Sequence, residues 1–517
     1  MNLFHKLRTI LLQLLLLAVI LELIFFFSFE DLIMSLMSVL TMVMLNATFV
    51  RREIFIKYPL SSLTVLFYAI CFIILPYYAT LIEFKPISYN LRTPLWTFFN
   101  VIILLIILLL SHSIYRGVFS RKNSLREIIY RYKGFGSLST KQYYFLVFAS
   151  FLYYVVTIVV FGRYDEDGEN ADVPGLVYII GLIFSGYLPC IALLIYPRFG
   201  LITPPIKKPK LLIIMTIVCS AVGVMTNMRT AVLLVPTAIL GCLLLNIIYL
   251  NFNIDKKTKK VFVIAGLLTL IIAPVFLRIS TVMLIMRGDR YGLSGRETMD
   301  VVLDLATNED AIKSFLLENR DDEEDKKKSD YSEKYLNNDA LARFCSLKIY
   351  DETLFHAEKI GYSQAGIRKD ISDYFFSIFP EALVVPAVLS HEERVEAAKC
   401  MSLTDRLCYI STGKGLGGAR IGSYQGIGLA AFGWLYVPIM FVLCIIIFFL
   451  FDSLVYIKDG KIIFSYYSII CLPTILLFFQ PHHVYTFELK YIIRTFWEQL
   501  LFYLLTINII KSLKFLK

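Results

Sequence analysis

Charge is the scarcest thing in this chain. Asp, Glu, Lys and Arg make up 18% of its 517 residues, against roughly 25% in soluble globular proteins. That shortage excludes an ordinary water-soluble globule. The spacings of a zinc site, a Walker loop and an EF-hand are absent too, so neither a metal nor a cofactor is expected. A cleavable leader is not expected either. The first apolar run follows Lys6 and Arg8, but it is too long for a signal peptide and lacks a small-residue cleavage site.

Apolar sequence fills the chain instead: 57% of residues are hydrophobic and the mean hydropathy is +0.68. A membrane helix needs about 20 mostly apolar residues. Twelve runs meet that need, at about 10–29, 32–50, 59–80, 93–115, 143–162, 174–197, 211–226, 230–250, 261–285, 426–451, 463–480 and 495–512. The expected fold class is an all-α polytopic membrane protein of about twelve transmembrane helices. Positive charge tests the count independently. Segments 1–9, 51–58, 116–142, 198–210, 251–260, 452–462 and the tail from Lys511 carry 25 Lys plus Arg, and the short connections on the other side carry 6. The positive-inside rule then assigns both termini to the cytoplasm. The net charge of +10 belongs to loops that face anionic lipid headgroups, and it does not indicate nucleic acid.

Residues 286–425 form the one long interruption, 140 residues with 19 basic and 25 acidic side chains, on the outer side. The chain divides accordingly into helices one to nine (1–285), an extracytoplasmic loop domain (286–425) and helices ten to twelve (426–517). The loop reads as partly helical. Ser294 and Glu297 stand in capping-box spacing at the head of one amphipathic stretch, and 329–361 and 363–379 look like further ones. The charge run 320–328 reads as a solvated turn. Cys71, Cys190, Cys219, Cys242, Cys444 and Cys471 lie in apolar runs, where packing is their expected role. Cys345, Cys400 and Cys408 lie in the loop, where at most one internal disulfide can form.

Candidate chemistry collects at the outer helix ends. Arg229 stands in a connection of three residues, Arg278 near the outer end of the ninth run, and Arg287 and Arg290 just beyond it. Arginine grips phosphate with two parallel hydrogen bonds. The plainer reading is that these side chains snorkel to headgroups or pair with a carboxylate such as Glu22. The last outer connection groups His482, His483, Glu488 and Arg494. Imidazole titrates near neutrality and suits a general base; with Tyr485 and Trp497, an interfacial belt is the duller alternative. Residues 413–418, "GKGLGG", match a dinucleotide fingerprint literally, but they lie outside the membrane and just ahead of a transmembrane helix. A flexible re-entry or a backbone cradle for phosphate fits that position better.

Three stretches carry a family likeness: "TNMRTAVLLVPTAIL" at 226–240, "YFFSIFPEALVVP" at 374–386 and "IGSYQGIGLAAFGWLYVPI" at 421–439. With them, and with one large late loop before the final helices, the chain resembles the Wzy-type O-antigen and oligosaccharide repeat-unit polymerases of bacteria. Arg406 and Gly417 match an R-x10-G spacing known in that family, while "PEALVVP" lacks the tryptophan often found there. The resemblance implies a GT-C-like glycosyltransferase of the bacterial inner membrane. It would join undecaprenyl-pyrophosphate-linked oligosaccharide repeats into O-antigen or capsule on the periplasmic side. His482, His483 and Glu488 would then be catalytic, and Arg229, Arg278, Arg287, Arg290, Arg406 and Arg494 would bind the pyrophosphate. The lipid bilayer and a chain-length regulator protein are the implied partners. A ligase of the same chemistry and a transporter or flippase of lipid-linked glycan are the alternatives.

Overall fold

The computed structural model describes residues 3–119, 123–161, 180–181, 183–194, 201–203, 208–225, 229–249, 279, 282, 295–308, 310, 331–337, 342, 345–379, 402–413, 420–458, 461–482 and 484–513. Helix dominates among them, and the strands form only two small two-stranded pairs. Among the described residues, five helices are long and apolar enough to cross a membrane: His5–Phe25, Phe29–Thr48, Pro59–Ile82, Pro94–Phe119 and Tyr424–Ser453. Pro209–Val224 and Val232–Asn246 are shorter apolar helices. Each of them overlaps a run expected from the sequence, with ends shifted by up to about five residues, as do the helices Thr140–Phe161 and Phe496–Ser512. Lipid offers backbone groups no hydrogen bonds, so a spanning segment must satisfy its own, and a helix does. This is the architecture of an all-α membrane protein.

Local sequence explains where the spans begin and bend. The Ser28 hydroxyl accepts from the Asp31 amide at 3.0 Å and caps Phe29–Thr48, with Glu30 and Asp31 in the first turn. The third span slips into a π-turn at Ile70–Ile74, just before Pro76. A proline ring collides with the carbonyl four residues earlier, and the wider turn relieves that contact. In the Tyr424–Ser453 span the helix breaks at Gly433, which has φ +58° and lies where a Cβ would meet Ser363 Oγ at 2.7 Å. Only glycine suits both constraints.

Two expected α-helical runs take other forms. Within 174–197 the described residues include a 3-10 helix, Ser185–Leu194, with Pro189 inside it; proline cannot donate the i→i−4 bond that an α-helix requires. The run 463–480 begins in a strand and continues as two short helices, Tyr466–Ile470 and Leu472–Leu477, parting at Cys471 ahead of Pro473. Its first strand, Lys461–Phe464, pairs antiparallel with Val455–Lys458, with Val455 opposite Phe464. The Asp459–Gly460 dipeptide between them is a strong hairpin signal. Apart from Ile279 and Val282, the ninth run lies outside the described residues.

The chain forms two compact units, each discontinuous in sequence. The first contains residues 1–123, 326–452 and 475–498. Its connections meet at two separate ends. At one, the Ile87 amide donates to Glu22 at 2.6 Å, the Ser88 amide to Asp31 at 3.3 Å, and Tyr335 to the Ile87 carbonyl at 2.5 Å. At the other, buried Asp452 accepts from the amides of Leu60 and Ser61 at 3.1 and 3.2 Å, and Asn123 donates to the Phe449 carbonyl at 3.3 Å. Connections assigned to the same side by charge therefore meet one another. The helix Leu347–Ile360 packs directly on the Tyr424–Ser453 span, since a Cβ at Gly426 would lie 2.7 Å from the Thr353 carbonyl carbon.

The second unit contains residues 124–325, 453–474 and 499–517. Tyr143 donates to the Cys190 carbonyl at 2.9 Å and Tyr466 to the Leu201 carbonyl at 2.5 Å, tying helices to the 3-10 segment and to the Leu138–Ser139 and Ile202–Thr203 parallel pair. The loop helix Gly295–Thr307 buries Val302 against Val224, Val232 and Val282. Cysteine packing is as expected: the six in apolar runs are buried and free, and so are Cys345 and Cys408, while Cys400 lies outside the described residues.

Candidate functional site

The described residues of the first unit include polar centres at the 482–488 connection and on the helix Leu347–Ile360. One is built around Glu488, in the first turn of the short helix Thr486–Lys490. The chain reverses ahead of that helix through Tyr485, which has φ +64°, and this turn brings His482 back toward Glu488. A backbone bridge holds His482 from the other side, with the Gly422 amide donating to its carbonyl at 3.1 Å. Two residues on, Tyr424 opens the span to Ser453 behind the N-cap Ser423, whose hydroxyl meets Thr353 Oγ1 at 2.6 Å.

His482 Nε2 lies 3.0 Å from Glu488 Oε1, and the same oxygen is hydrogen-bonded by the Tyr424 hydroxyl. The Nε2 contact is close enough for an ion pair but lies off the line of a hydrogen bond. The phenol has one proton and two acceptors in reach, Glu488 and the Phe478 carbonyl at 2.9 Å. Glu488 is fully buried, whereas the His482 side chain is 25% exposed. Three buried atoms of the group lack hydrogen-bond partners among the described residues: Glu488 Oε2, His482 Nδ1 and His482 Nε2. Polar atoms left unsatisfied in a folded interior are uncommon and costly. Burial, with Tyr436 and Glu488 nearby, pushes the Tyr485 hydroxyl far above its ordinary range, so it stays a neutral donor to the Tyr424 carbonyl at 3.1 Å. A proton on Nε2 would face the carboxylate and leave the ring's lone pair on Nδ1, which is itself buried. Histidine beside a carboxylate is a combination that general-base chemistry uses.

The second centre occupies one face of Leu347–Ile360, where Lys348, Asp351, Glu352 and His356 fall at helical spacing. Lys348 Nζ is 2.8 Å from Asp351 and 2.9 Å from Glu352, and Arg92 Nε is 2.9 Å from Glu352. Asp351 also accepts from the amides of Arg92 and Thr93, each at 2.8 Å, and so caps the helix Pro94–Ile114 from outside its own chain segment. Burial alone would raise the Glu352 carboxyl, but His356, Lys348 and Arg92 hold it below the ordinary carboxylate range. His356 Nδ1 meets Ser411 Oγ at 2.6 Å.

Of the residues expected from the sequence, His482 and Glu488 come together. Arg494 forms an exposed pair with Glu498 at 2.7 Å, one turn away on its own helix. Arg406 pairs with Asp370 at 3.2 Å on a half-exposed face, where burial pushes the Asp370 carboxyl up against the pull of Arg406. Arg229 is the first residue of the helix Arg229–Tyr249. His483, Arg278, Arg287, Arg290 and Gly417 lie outside the described residues. The Glu22 carboxylate has the Ile87 amide as its partner, and its second oxygen is buried without one among the described residues.

Sequence reasoning missed Tyr424, 64 residues from Glu488, and the whole Lys348–His356 face. The signal for that face was present as charges three and four residues apart on an amphipathic helix, a pattern that usually marks a solvated surface. The three ion-pairing side chains are instead between 0% and 3% exposed. No matching family model, curated protein or solved structure was found for the chain.

Proposed function

We propose that the chain is a membrane glycosyltransferase that polymerises oligosaccharide repeat units carried on undecaprenyl pyrophosphate, at the periplasmic face of a bacterial inner membrane. About twelve spans, both termini in the cytoplasm and the 286–425 loop outside make up the topology on which this reading stands. The observation that carries it is His482, partly exposed, with Nε2 at 3.0 Å from the buried Glu488 carboxylate and Nδ1 unpartnered among the described residues. In the reaction, the partly exposed His482 imidazole takes the proton of a sugar hydroxyl on the incoming repeat unit. That oxygen forms a bond to the anomeric carbon of the growing chain, and the anomeric carbon–oxygen bond to the lipid pyrophosphate breaks. The leaving pyrophosphate needs fixed cations, the role that sequence position suggests for arginines such as Arg229 and Arg278. Glu488 holds the imidazole in the tautomer that leaves Nδ1 basic.

Deletion of the gene tests the reading. The expected result is surface glycan capped with single repeat units, with lipid-linked repeats accumulating. Long polymer persisting in the deletion strain would overturn it. Loss of capped single units together with a build-up of lipid-linked polymer would point to a ligase instead. A transporter of lipid-linked glycan is the second reading, and one observation favours it: Glu22 is fully buried in the first span with one oxygen unpartnered among the described residues. Ionisable groups inside a membrane commonly mark transport paths.

A further inference from the structure

The loop helices hold a second arrangement that the proposed polymerase chemistry does not use. Ser411, in the last turn of Leu403–Thr412, is half-buried, and its Oγ lies 2.6 Å from His356 Nδ1. On the other edge of that ring, His356 Nε2 lies 3.6 Å from Glu352 Oε2. Neither of those two atoms has another partner among the described residues, and His356 and Glu352 are each 1% exposed. Glu352 is held in turn by Lys348 and Arg92 through its other oxygen, at 2.9 Å each.

The protons can be assigned from these contacts. Lys348 and Arg92 keep Glu352 ionised, and an imidazole lone pair facing a buried carboxylate would be repelled. Nε2 therefore carries a proton, and in the neutral ring the lone pair falls on Nδ1. Among the described residues the donor that meets it is the Ser411 hydroxyl, whose other reachable acceptor, the Cys408 carbonyl, is farther at 3.0 Å. Carboxylate, imidazole and hydroxyl thus stand in the order that makes a serine nucleophilic, with the carboxylate selecting the tautomer.

We propose that Ser411, His356 and Glu352 form a nucleophilic serine site that cleaves or transfers carboxylic esters. Ser411 Oγ bonds to the ester carbonyl carbon as its proton passes to His356 Nδ1. The carbon–oxygen bond to the alcohol breaks, and the alcohol leaves with that proton. The acyl group on Ser411 then passes to water or to another hydroxyl, whose proton His356 takes and returns to Ser411. Esters are the fitting class, because a helix C-terminus surrounds Ser411 with carbonyls and so gives an oxyanion little help. That O-acyl sugars are the natural esters rests on the glycan reading above; the nucleophilic serine does not.

Fluorophosphonate labelling tests the site without any polymerase assay. The full chain, purified in detergent and monodisperse, is treated with the probe, and modified serines are mapped by peptide mass spectrometry. Ser411 Oγ should displace fluoride and be labelled in the folded protein but not after heat denaturation. His356→Gln should slow labelling by about 100-fold or more, the contribution of a general base, and Ser411→Ala should abolish it at that peptide. Absence of label on Ser411 in folded protein, equal labelling after denaturation, or an unchanged rate in monodisperse His356→Gln would each overturn the proposal. Polymer formation is not read in this experiment, so failure of the polymerase reading leaves the result intact.

Discussion

Glu488→Gln alters the charge beside His482 while keeping the side-chain volume. In the wild type, Glu488 Oε1 faces both His482 Nε2 at 3.0 Å and the Tyr424 hydroxyl. Glutamine offers only one acceptor oxygen there. If that oxygen stays with Tyr424, the ring no longer has an anion opposite Nε2, and the proton is free to move to Nδ1. In the proposed reaction, the ring nitrogen that accepts the sugar proton then becomes a donor. A positioned general base contributes about 10²- to 10⁴-fold in rate, equivalent to about 2.7–5.4 kcal/mol of barrier. Stability should change little, because a buried carboxylate is costly and a neutral amide relieves that cost. The assay is glycan chain length at matched membrane expression, with thermal unfolding of the purified variant as the fold control. Short or absent polymer from a protein that melts like wild type is expected. Full-length polymer at the wild-type rate from Glu488→Gln would refute the role given to this carboxylate.

Two further outcomes follow from the same structure, and a third from the sequence. Asp351→Ala removes the acceptor of two helix-start amides and leaves Lys348, 3% exposed, short of a counter-ion, so it should cost about 3–5 kcal/mol; a thermal melt in detergent within about 1 kcal/mol of wild type would contradict the capping role. The Glu352 carboxyl is depressed on folding, so its stabilisation is present above the ordinary carboxylate range and lost as pH falls through its folded value. Wild type should therefore lose more stability than Glu352→Gln on acidification below about pH 4.5, and parallel melting curves would refute this. Arg229→Ala and Arg278→Ala should each lower polymerisation by about 100- to 1000-fold, with partial rescue by Lys and little effect of Arg320→Ala; well-expressed alanine variants making full-length polymer would leave both arginines as interfacial anchors.

The spans were legible because a bilayer demands about 20 apolar residues in a row, and little else in a sequence looks like Pro94–Phe119 or Tyr424–Ser453. Interruptions were harder to see. A proline such as Pro189 or Pro76 is tolerated at membrane depth when the turn changes width, so composition alone left 174–197 looking like an ordinary helix. The hairpin at 455–464 carried a clear Asp-Gly signal that the short apolar run after it obscured. His482 and Glu488 were legible as a pair because only a turn separates them. Tyr424 was not, because its approach depends on how its own span packs against the 481–488 connection. The Lys348–His356 face was misleading in a different way. Charge on a helix ordinarily means water, and only partners from a distant segment, Arg92 to Thr97, allow those groups to be buried.

Reconstitution tests the central claim most directly. The purified full-length protein in liposomes, supplied only with a repeat unit linked to undecaprenyl pyrophosphate, should convert it into a ladder of polymer. One undecaprenyl pyrophosphate should be released per bond formed, without added nucleotide or metal. A repeat unit that remains monomeric while wild-type protein is folded and inserted, with no pyrophosphate lipid released, would contradict the account.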